Sequence, residues 1–266
     1  MKHKNKIYSI FAIWAIFFVM SACGDKTNSF AIYSPATGGK VKFIHSAPDV
    51  AGIDIYVNDK KFSGVNTATG ATPALLTFGN AYPSTAEYAA IPAGKAKIGV
   101  VIPSLNNATG IAADLNVEEG KFYSVFATGI APNYAPLVLE DKLPVTTGKN
   151  IYVRVINLIP NSTTVEFSVN GSIIAPSVKY KNEDNTFLTV PIDAFTTGSI
   201  IVPIIVKVSG GVAATPTGNP VVTIATFNQT TVIPGRVYTV VARGMVTTDL
   251  KNPTKFAPAT AVYQNR

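Results

Sequence analysis

The feature that most constrains the fold is an internal repeat of short segments. Residues 41–45 alternate apolar and polar side chains, and they match residues 153–157 at an offset of 112. Residues 120–129 match residues 235–244 at an offset of 115. Coincidence could explain one such match but hardly several in the same order, and growing offsets are typical of loop insertions between strands. The sequence therefore predicts two copies of one domain.

Each copy is predicted to be all-β. Its apolar runs are short and rich in β-branched and aromatic residues, and turn-forming residues separate them. No stretch carries a capped apolar stripe with a 3.6-residue period. Several short strands per hundred residues, with turns between them, are typical of a β-sandwich. We therefore expect two tandem β-sandwich domains, at residues 40–145 and 150–266, with residues 144–149 joining them.

The first 22 residues have the organisation of a signal peptide. Lys2, Lys4 and Lys6 precede an apolar run at residues 7–20, which is shorter than the roughly 20 residues that cross a bilayer. A short apolar run after a basic start is typical of a secretory signal. Residues 20–24, Met-Ser-Ala-Cys-Gly, resemble the lipobox of bacterial lipoproteins, in which the cysteine is lipidated and becomes the new N-terminus.

This resemblance implies that Cys23 is the lipid attachment site and anchors the chain to a membrane. Several acyl chains on one residue give stable anchoring, and residues 23–39 are small and polar enough to form a flexible tether. In Gram-negative lipoproteins, an Asp after the cysteine favours retention in the inner membrane. Gly24 occupies that position in this chain. We therefore expect the protein to lie in the cell envelope, anchored to the outer membrane on either the periplasmic or the surface-exposed side.

Composition narrows the chemistry open to the mature chain. His3, Trp14 and Cys23 lie within the first 23 positions, so cleavage before Cys23 leaves His45 as the only histidine. His/Cys metal clusters, thiol nucleophiles in the body of the chain and disulfides are thereby excluded. Loss of three lysines lowers the formal net charge from +7 to +4, and no run of basic residues is longer than two. We expect no cofactor, no metal and no nucleic-acid partner.

Several segments resemble a known family. Residues 41–49 (Val-Lys-Phe-Ile-His-Ser-Ala-Pro-Asp) and 53–58 (Ile-Asp-Ile-Tyr-Val-Asn) resemble the opening signature of the bacterial "domain of unknown function 4397" family, and residues 92–94 and 123–129 are similar to its later motifs. The resemblance implies a secreted or lipid-anchored protein with tandem domains of immunoglobulin-like sandwich fold. The family has no assigned activity, so the resemblance implies architecture and location but no chemistry.

His45, Asp49 and Asp54 form a candidate turn or ligand cluster. A histidine close to two carboxylates could bind a metal or act as a base. The second copy has Asn157 in place of His45 and Asn161 in place of Asp49, and asparagine caps a turn but is a poor base. We therefore expect His45 and Asp49 to close a turn by bonding to backbone groups.

Adjacent carboxylates are the remaining candidates for catalysis, because a glycosidase works with two of them. Neighbours on a strand point to opposite faces, so we expect these pairs to be solvated loop charges. Residues 182–185 also lack the ligand spacing of a calcium loop. The pairs are Glu118-Glu119, Glu140-Asp141 and Glu183-Asp184.

Two tyrosines occupy equivalent places in the repeat. Tyr123 and Tyr238 each follow a glycine by three residues, near the start of a predicted strand. Sandwich domains use such a tyrosine to bond its hydroxyl to the backbone a few residues upstream. We expect both tyrosines to be buried in that role, and not to contact a ligand.

The leading hypothesis for function is a non-enzymatic, lipid-anchored envelope protein that acts in binding, in adhesion or as an accessory surface component. Its partner would be a glycan or another envelope protein. Two alternatives stay open. One is a carboxylate-dependent glycan hydrolase, and the other is a fimbrial-type structural subunit.

The lipid anchor can be tested through Cys23. The wild-type chain should incorporate labelled palmitate and enter the detergent phase in a phase-partition assay, and Cys23→Ser should lose the label because the acceptor sulfur is gone. Ser21→Ala keeps the cysteine and should behave as wild type. A Cys23→Ser chain that still carries the label would contradict the assignment.

Overall fold

The computed structural model describes residues 38–63, 75–192, 198–209, 223–246 and 257–266. The predicted signal peptide and Cys23 lie outside these ranges, as does most of the predicted tether. The described chain is all-β, with several sheets and one turn of 3-10 helix at Pro103–Leu105. No helix within the described ranges is long and apolar enough to cross a membrane.

The strands fall into two groups along the chain, which we call the N-terminal pair and the C-terminal pair of sheets. The N-terminal pair contains β1 (Gly39–His45), β2 (Gly52–Val57), β3 (Lys60–Lys61), β4 (Leu76–Thr77), β5 (Ala81–Tyr82), β6 (Ala89–Ile91), β7 (Gly94–Ile102), β8 (Ala108–Val117), β9 (Phe122–Ile130) and β10 (Asn133–Glu140). The C-terminal pair contains β11 (Asn150–Leu158), β12 (Thr164–Val169), β13 (Ser172–Val178), β14 (Leu188–Pro191), β15 (Ile200–Ser209), β16 (Thr223–Val232), β17 (Val237–Arg243) and β18 (Ala259–Gln264).

Each pair consists of an inner and an outer sheet. The N-terminal inner sheet has the order β10-β9-β1-β5, with β6 also on β1, and the outer sheet has the order β3-β2-β7-β8, with β4 on β2. The C-terminal inner sheet has the order β14-β11-β17-β18, and its outer sheet β13-β12-β15-β16. The opening strand of each pair runs parallel to a late one, β1 beside β9 and β11 beside β17. The two pairs therefore share one arrangement of central strands.

Each pair buries one hydrophobic cluster between its sheets. In the N-terminal pair, Phe43 of the inner sheet and Ile55 of the outer sheet belong to the same cluster. In the C-terminal pair, Val155 and Phe167 do so. Alternation along these strands produces the clusters, because every second side chain points to the same face.

A third cluster joins the two inner sheets. It contains Ile44 and Phe126 from the N-terminal pair, and Ile156 and Val241 from the C-terminal pair. These four side chains point away from the clusters inside each pair, so the inner sheets are covered on both faces. The described chain thus stacks its sheets in four layers, outer, inner, inner and outer.

A buried ion pair lies where the inner sheets meet. Arg154 of β11 donates from Nη1 to Asp141 Oδ1 at 2.6 Å, and both side chains are 0% exposed. Its Nη2 donates to Ser124 Oγ at 3.1 Å and to Thr239 Oγ1 at 3.0 Å. The pair therefore links the N-terminal pair of sheets to the C-terminal pair through charge-assisted hydrogen bonds.

Other polar groups complete this network around Asp141. Tyr88 donates its hydroxyl to Asp141 Oδ2 at 2.5 Å, and Asn265 Nδ2 donates to the Tyr88 hydroxyl at 2.7 Å. The Lys42 ammonium donates to the carbonyl of Thr85 at 2.6 Å and lies 5.1 Å from the centre of the Tyr88 ring. Burial lowers the pKa of Lys42 to about 8, against the opposing effect of the Asp141 carboxylate.

The ion pair should be essential to stability because both charges are desolvated. Arg154→Met leaves the Asp141 carboxylate buried without its cation, and we expect a loss of about 3–5 kcal/mol in the free energy of unfolding. Urea titration followed by fluorescence measures this loss. Lys97→Met removes one partner of the exposed pair Lys97–Asp59 and should cost less than about 1 kcal/mol. Equal losses in the two variants would contradict the role of the buried pair.

Candidate functional site

His45 ends β1 and closes the turn that follows. Its Nε2–H donates to the carbonyl of Val50 at 2.9 Å, and its Nδ1 accepts from the Ala47 amide at 3.3 Å. The ring meets Phe78 edge-on, with 5.9 Å between the ring centres. The side chain is fully buried, and burial lowers the pKa of the imidazole to about 4. At neutral pH the ring is uncharged, and both nitrogens bond to the backbone.

Asn157 makes corresponding bonds in the C-terminal pair. Its Oδ1 accepts from the amide two residues later, Ile159 N–H, at 3.0 Å. Its Nδ2 donates to the carbonyl of Val178 at 3.0 Å and to Ser162 Oγ at 2.9 Å. One acceptor for the turn and one donor to a backbone carbonyl are therefore common to the histidine and the asparagine.

Asp49 and Asn161 reach across to the loops that follow β9 and β17. Asp49 Oδ2 accepts from the Ala131 amide and from the Tyr134 hydroxyl, each at 2.8 Å. Asn161 Oδ1 accepts from the Val246 amide at 3.0 Å. Ala131 and Val246 are 115 residues apart, which is the offset of the repeat at this point. Burial and the Asp49 carboxylate raise the pKa of Tyr134 to about 12.

Asp54 lies in a different environment. Its Oδ2 forms an ion pair with Lys61 at 2.8 Å on the outer sheet, and its Oδ1 is buried without a hydrogen-bond partner. His45, Asp49 and Asp54 thus bond to three separate sets of partners. Among the residues that the structure describes, no group of three or more His, Cys, Asp or Glu side chains is placed to hold a metal.

The adjacent carboxylates also separate from one another. Lys121 contacts Glu118 at 2.8 Å and Glu140 at 3.3 Å. Asp184 accepts from the Thr186 amide at 3.0 Å, and its hydrogen bonds to Thr186 lower its pKa. The expectation of a solvated loop charge is wrong for Asp141, because the opposing inner sheet covers it and supplies Arg154.

The expected burial and backbone hydrogen bonds of the two equivalent tyrosines are confirmed. Tyr123 accepts at its hydroxyl from the Glu118 amide at 3.1 Å, and Tyr238 accepts from the Ile233 amide at 2.7 Å. Both bonds reach five residues back along the chain, and both rings are buried. These tyrosines fix the turns that lead into β9 and β17.

A groove of about 520 Å³ opens between β13 and β14, and we call it the β13–β14 groove. Its base is apolar and includes the buried Val155 and Val178, with Ala175 half-buried beside them. The rim includes the exposed Lys179 and the half-buried Lys181. Burial lowers the pKa of Lys181, whose ammonium lies 5.8 Å from the centre of the Tyr180 ring. A volume of this size is within the usual range for small-molecule sites, which join an apolar lining to a few polar groups.

The sequence gives a weak signal for this groove. Residues 179–182 correspond to residues 77–80 at an offset of 102: Lys181 N–H donates to the Asn157 carbonyl, as Gly79 N–H donates to the His45 carbonyl, each at 2.8 Å. The two segments share only the final asparagine, Asn80 and Asn182. Such a short and divergent match is recognisable only once the hydrogen bonds are known.

These features describe an all-β chain whose two pairs of sheets have equivalent turns and an open groove in the second. Residues 39–167 match the family model described as "Domain of unknown function (DUF4397)". The match begins with the first residue of β1 and ends inside β12, so it covers the N-terminal pair and the opening strands of the C-terminal pair. No curated protein matches the chain.

The buried imidazole should make the protein sensitive to acid. The unfolded His45 takes up a proton below about pH 6.5, whereas the folded one does so only near pH 4, so acidification favours the unfolded chain. Between pH 7 and pH 5 we expect the free energy of unfolding to fall by about 2 kcal/mol more in wild type than in His45→Asn, which carries the residue type of Asn157. Urea titrations at the two pH values measure the difference. Parallel losses in both proteins would refute this role of His45.

Proposed function

We propose that the chain is a lipid-anchored, non-enzymatic binding protein of the bacterial cell envelope, built from two tandem immunoglobulin-like β-sandwich domains. The observation that carries the proposal is a contrast between two kinds of polar residue. Those with catalytic potential, His45 and Asp141 above all, are buried and bonded to structural partners. Those around the open β13–β14 groove include the exposed Lys179 and Asp184 and the half-buried Lys181.

Equivalent bonds in the two pairs of sheets support tandem domains. Asp49 and Asn161 fix the loops after β9 and β17, and Tyr123 and Tyr238 fix the turns before those strands. A separate hydrophobic cluster lies between the two sheets of each pair, as expected for a sandwich. Two copies of one sandwich, packed on each other through their inner sheets, account for these observations together.

The anchor and the location rest on the start of the sequence. The basic residues, the short apolar run and the Met-Ser-Ala-Cys-Gly segment predict lipidation at Cys23. A tether from Cys23 to the first strand would hold the four sheets near the membrane surface. This arrangement suits a protein that binds a glycan or an envelope protein close to the membrane.

Binding and turnover can be separated in one experiment. The full chain, purified in a non-ionic detergent, should bind a subset of envelope glycans on an array and release no reducing sugar from them. Glu118→Gln/Glu119→Gln changes an exposed adjacent pair that does not line the groove, and it should leave the array pattern unchanged. Release of sugar that this variant abolishes would instead support a hydrolase, and filaments in envelope preparations would support a structural subunit.

A further inference from the structure

The β13–β14 groove occupies a place that aromatic rings fill in the N-terminal pair. There Phe43 and Phe62 have ring centres 5.7 Å apart, and Phe62 and Tyr82 have ring centres 6.1 Å apart. The three rings pack edge-on and belong to the N-terminal hydrophobic cluster or lie against it. They close the space between the inner and outer sheets at this edge.

The equivalent residues of the C-terminal pair lack these rings. The repeat offsets place Val155 at the position of Phe43, Ile174 at that of Phe62 and Asp184 at that of Tyr82. In the N-terminal pair Phe43 pairs with Tyr82 across the strands. In the C-terminal pair the side chain of Asn182, two residues before Asp184, donates to the Val155 carbonyl at 3.1 Å. Val155 and Asp184 both line the groove. The groove is therefore volume that the first copy fills with its own side chains.

Residues 179–184, which border the groove, carry two lysines that the equivalent segment of the N-terminal pair lacks. Lys179 and Lys181 stand where the N-terminal pair has Thr77 and Gly79, and within the described ranges neither ammonium forms an ion pair. Asp184 is the carboxylate on the groove, and Thr186 N–H bonds to it. Two lysines against one aspartate leave the rim positively charged.

The backbone of Lys181 has a conformation that is more favourable for glycine, the residue at the equivalent position of the N-terminal pair. Its φ is 55°, in the left-handed region, and the equivalent Gly79 has a φ of 83°. Glycine adopts such angles freely, whereas a residue with a side chain does so at a cost. Strain of this kind at the edge of a groove is a recognised mark of a functional residue.

We propose that the β13–β14 groove binds a small organic anion, with its apolar part in the space that Phe43, Phe62 and Tyr82 fill in the first copy, and its carboxylate or phosphate on Lys179 and Lys181. This proposal rests on the proposed function, because it names the ligand class for a binding protein. An apolar base provides burial of the ring or short acyl group. The ammonium groups of Lys179 and Lys181 provide charge-assisted hydrogen bonds to the anionic oxygens.

The test compares four probes on the full chain in a non-ionic detergent, by calorimetric titration. Phenyl phosphate and phenylacetate carry both parts of the ligand, 2-phenylethanol lacks the charge, and inorganic phosphate lacks the apolar part. We expect saturable binding of the two aryl anions, and binding at least tenfold weaker for the other two. Absence of aryl-anion binding, or equal binding of 2-phenylethanol, overturns the proposal.

Variants locate the binding to the groove. Lys179→Gln/Lys181→Gln should weaken aryl-anion binding at least tenfold, and Lys95→Gln, at an exposed lysine of β7, should leave it unchanged. Lys181→Gly should lose affinity while its Tm stays at or above that of wild type, since glycine accepts the left-handed conformation. Unchanged affinity in the double variant overturns the proposal.

Filling the groove provides an independent check. Val155→Phe restores the ring that the first copy has at Phe43 and should abolish binding. Because Val155 is buried, Ala175→Leu at the half-buried wall serves as a second blocking variant, and Tm verifies that each has folded. Full binding in a folded blocking variant places the anion elsewhere and overturns the proposal. A chain that binds glycans on the array but no aryl anion refutes this ligand class alone and leaves the proposed function standing.

Discussion

The contact between Arg154 and Asp141 is the interaction on which the rest of the structure depends. Neither charge reaches solvent, and each would be costly to bury without the other. Arg154 lies on the first strand of the C-terminal pair, and Asp141 follows the last strand of the N-terminal pair. Their contact therefore requires the inner sheets to meet in one register. The apolar cluster around Phe126 and Val241 supplies the burial that makes this register favourable.

The buried network is built from residues at matching places in the two pairs of sheets. Lys42 and Arg154 are equivalent by the offset of 112, and Ser124 and Thr239 by the offset of 115. Each cation also faces an aromatic ring that directly precedes a strand paired with its own. Lys42 faces Tyr88 before β6, and Arg154 faces Phe187 before β14 at 4.9 Å. The two pairs of sheets differ at the acidic position. The amide of Asp141 donates to the Phe122 carbonyl of β9, and the amide of Asn265 donates to the Val237 carbonyl of β17, but only the aspartate is charged. A near-symmetric interface thus carries two cations and one anion at its centre.

Much of the strand arrangement could be predicted from the sequence, whereas the contact between the sheet pairs and the groove could not. The alternation of side chains predicts which residues share a face of one sheet. The offsets between matching segments place Tyr123 and Tyr238 at equivalent positions, so the backbone bonds of both tyrosines could be predicted. The same alternation places Lys42 on the polar face of its strand and so predicts that this face is solvated. Its burial depends on a sheet more than a hundred residues further along the chain. The groove depends on the absence of aromatic rings that the N-terminal pair has. Val155 resembles any other core valine until it is compared with Phe43 of the N-terminal pair.

The parallel pairing of β1 with β9 has a consequence for how the molecule reaches its final form. The N-terminal inner sheet cannot form until β1 pairs with β9, as Lys40 does with Phe122. Contacts so distant along the chain make folding slow. Until β11 and β17 pack against it, the outward face of the N-terminal inner sheet is exposed to solvent. That face carries apolar side chains, Ile44 and Phe126. It also carries polar and charged ones, Lys42, Ser124 and Asp141, so the partly folded chain does not expose a purely apolar surface. The polar residues that later join the two pairs of sheets thus also disfavour aggregation through the uncovered face during folding.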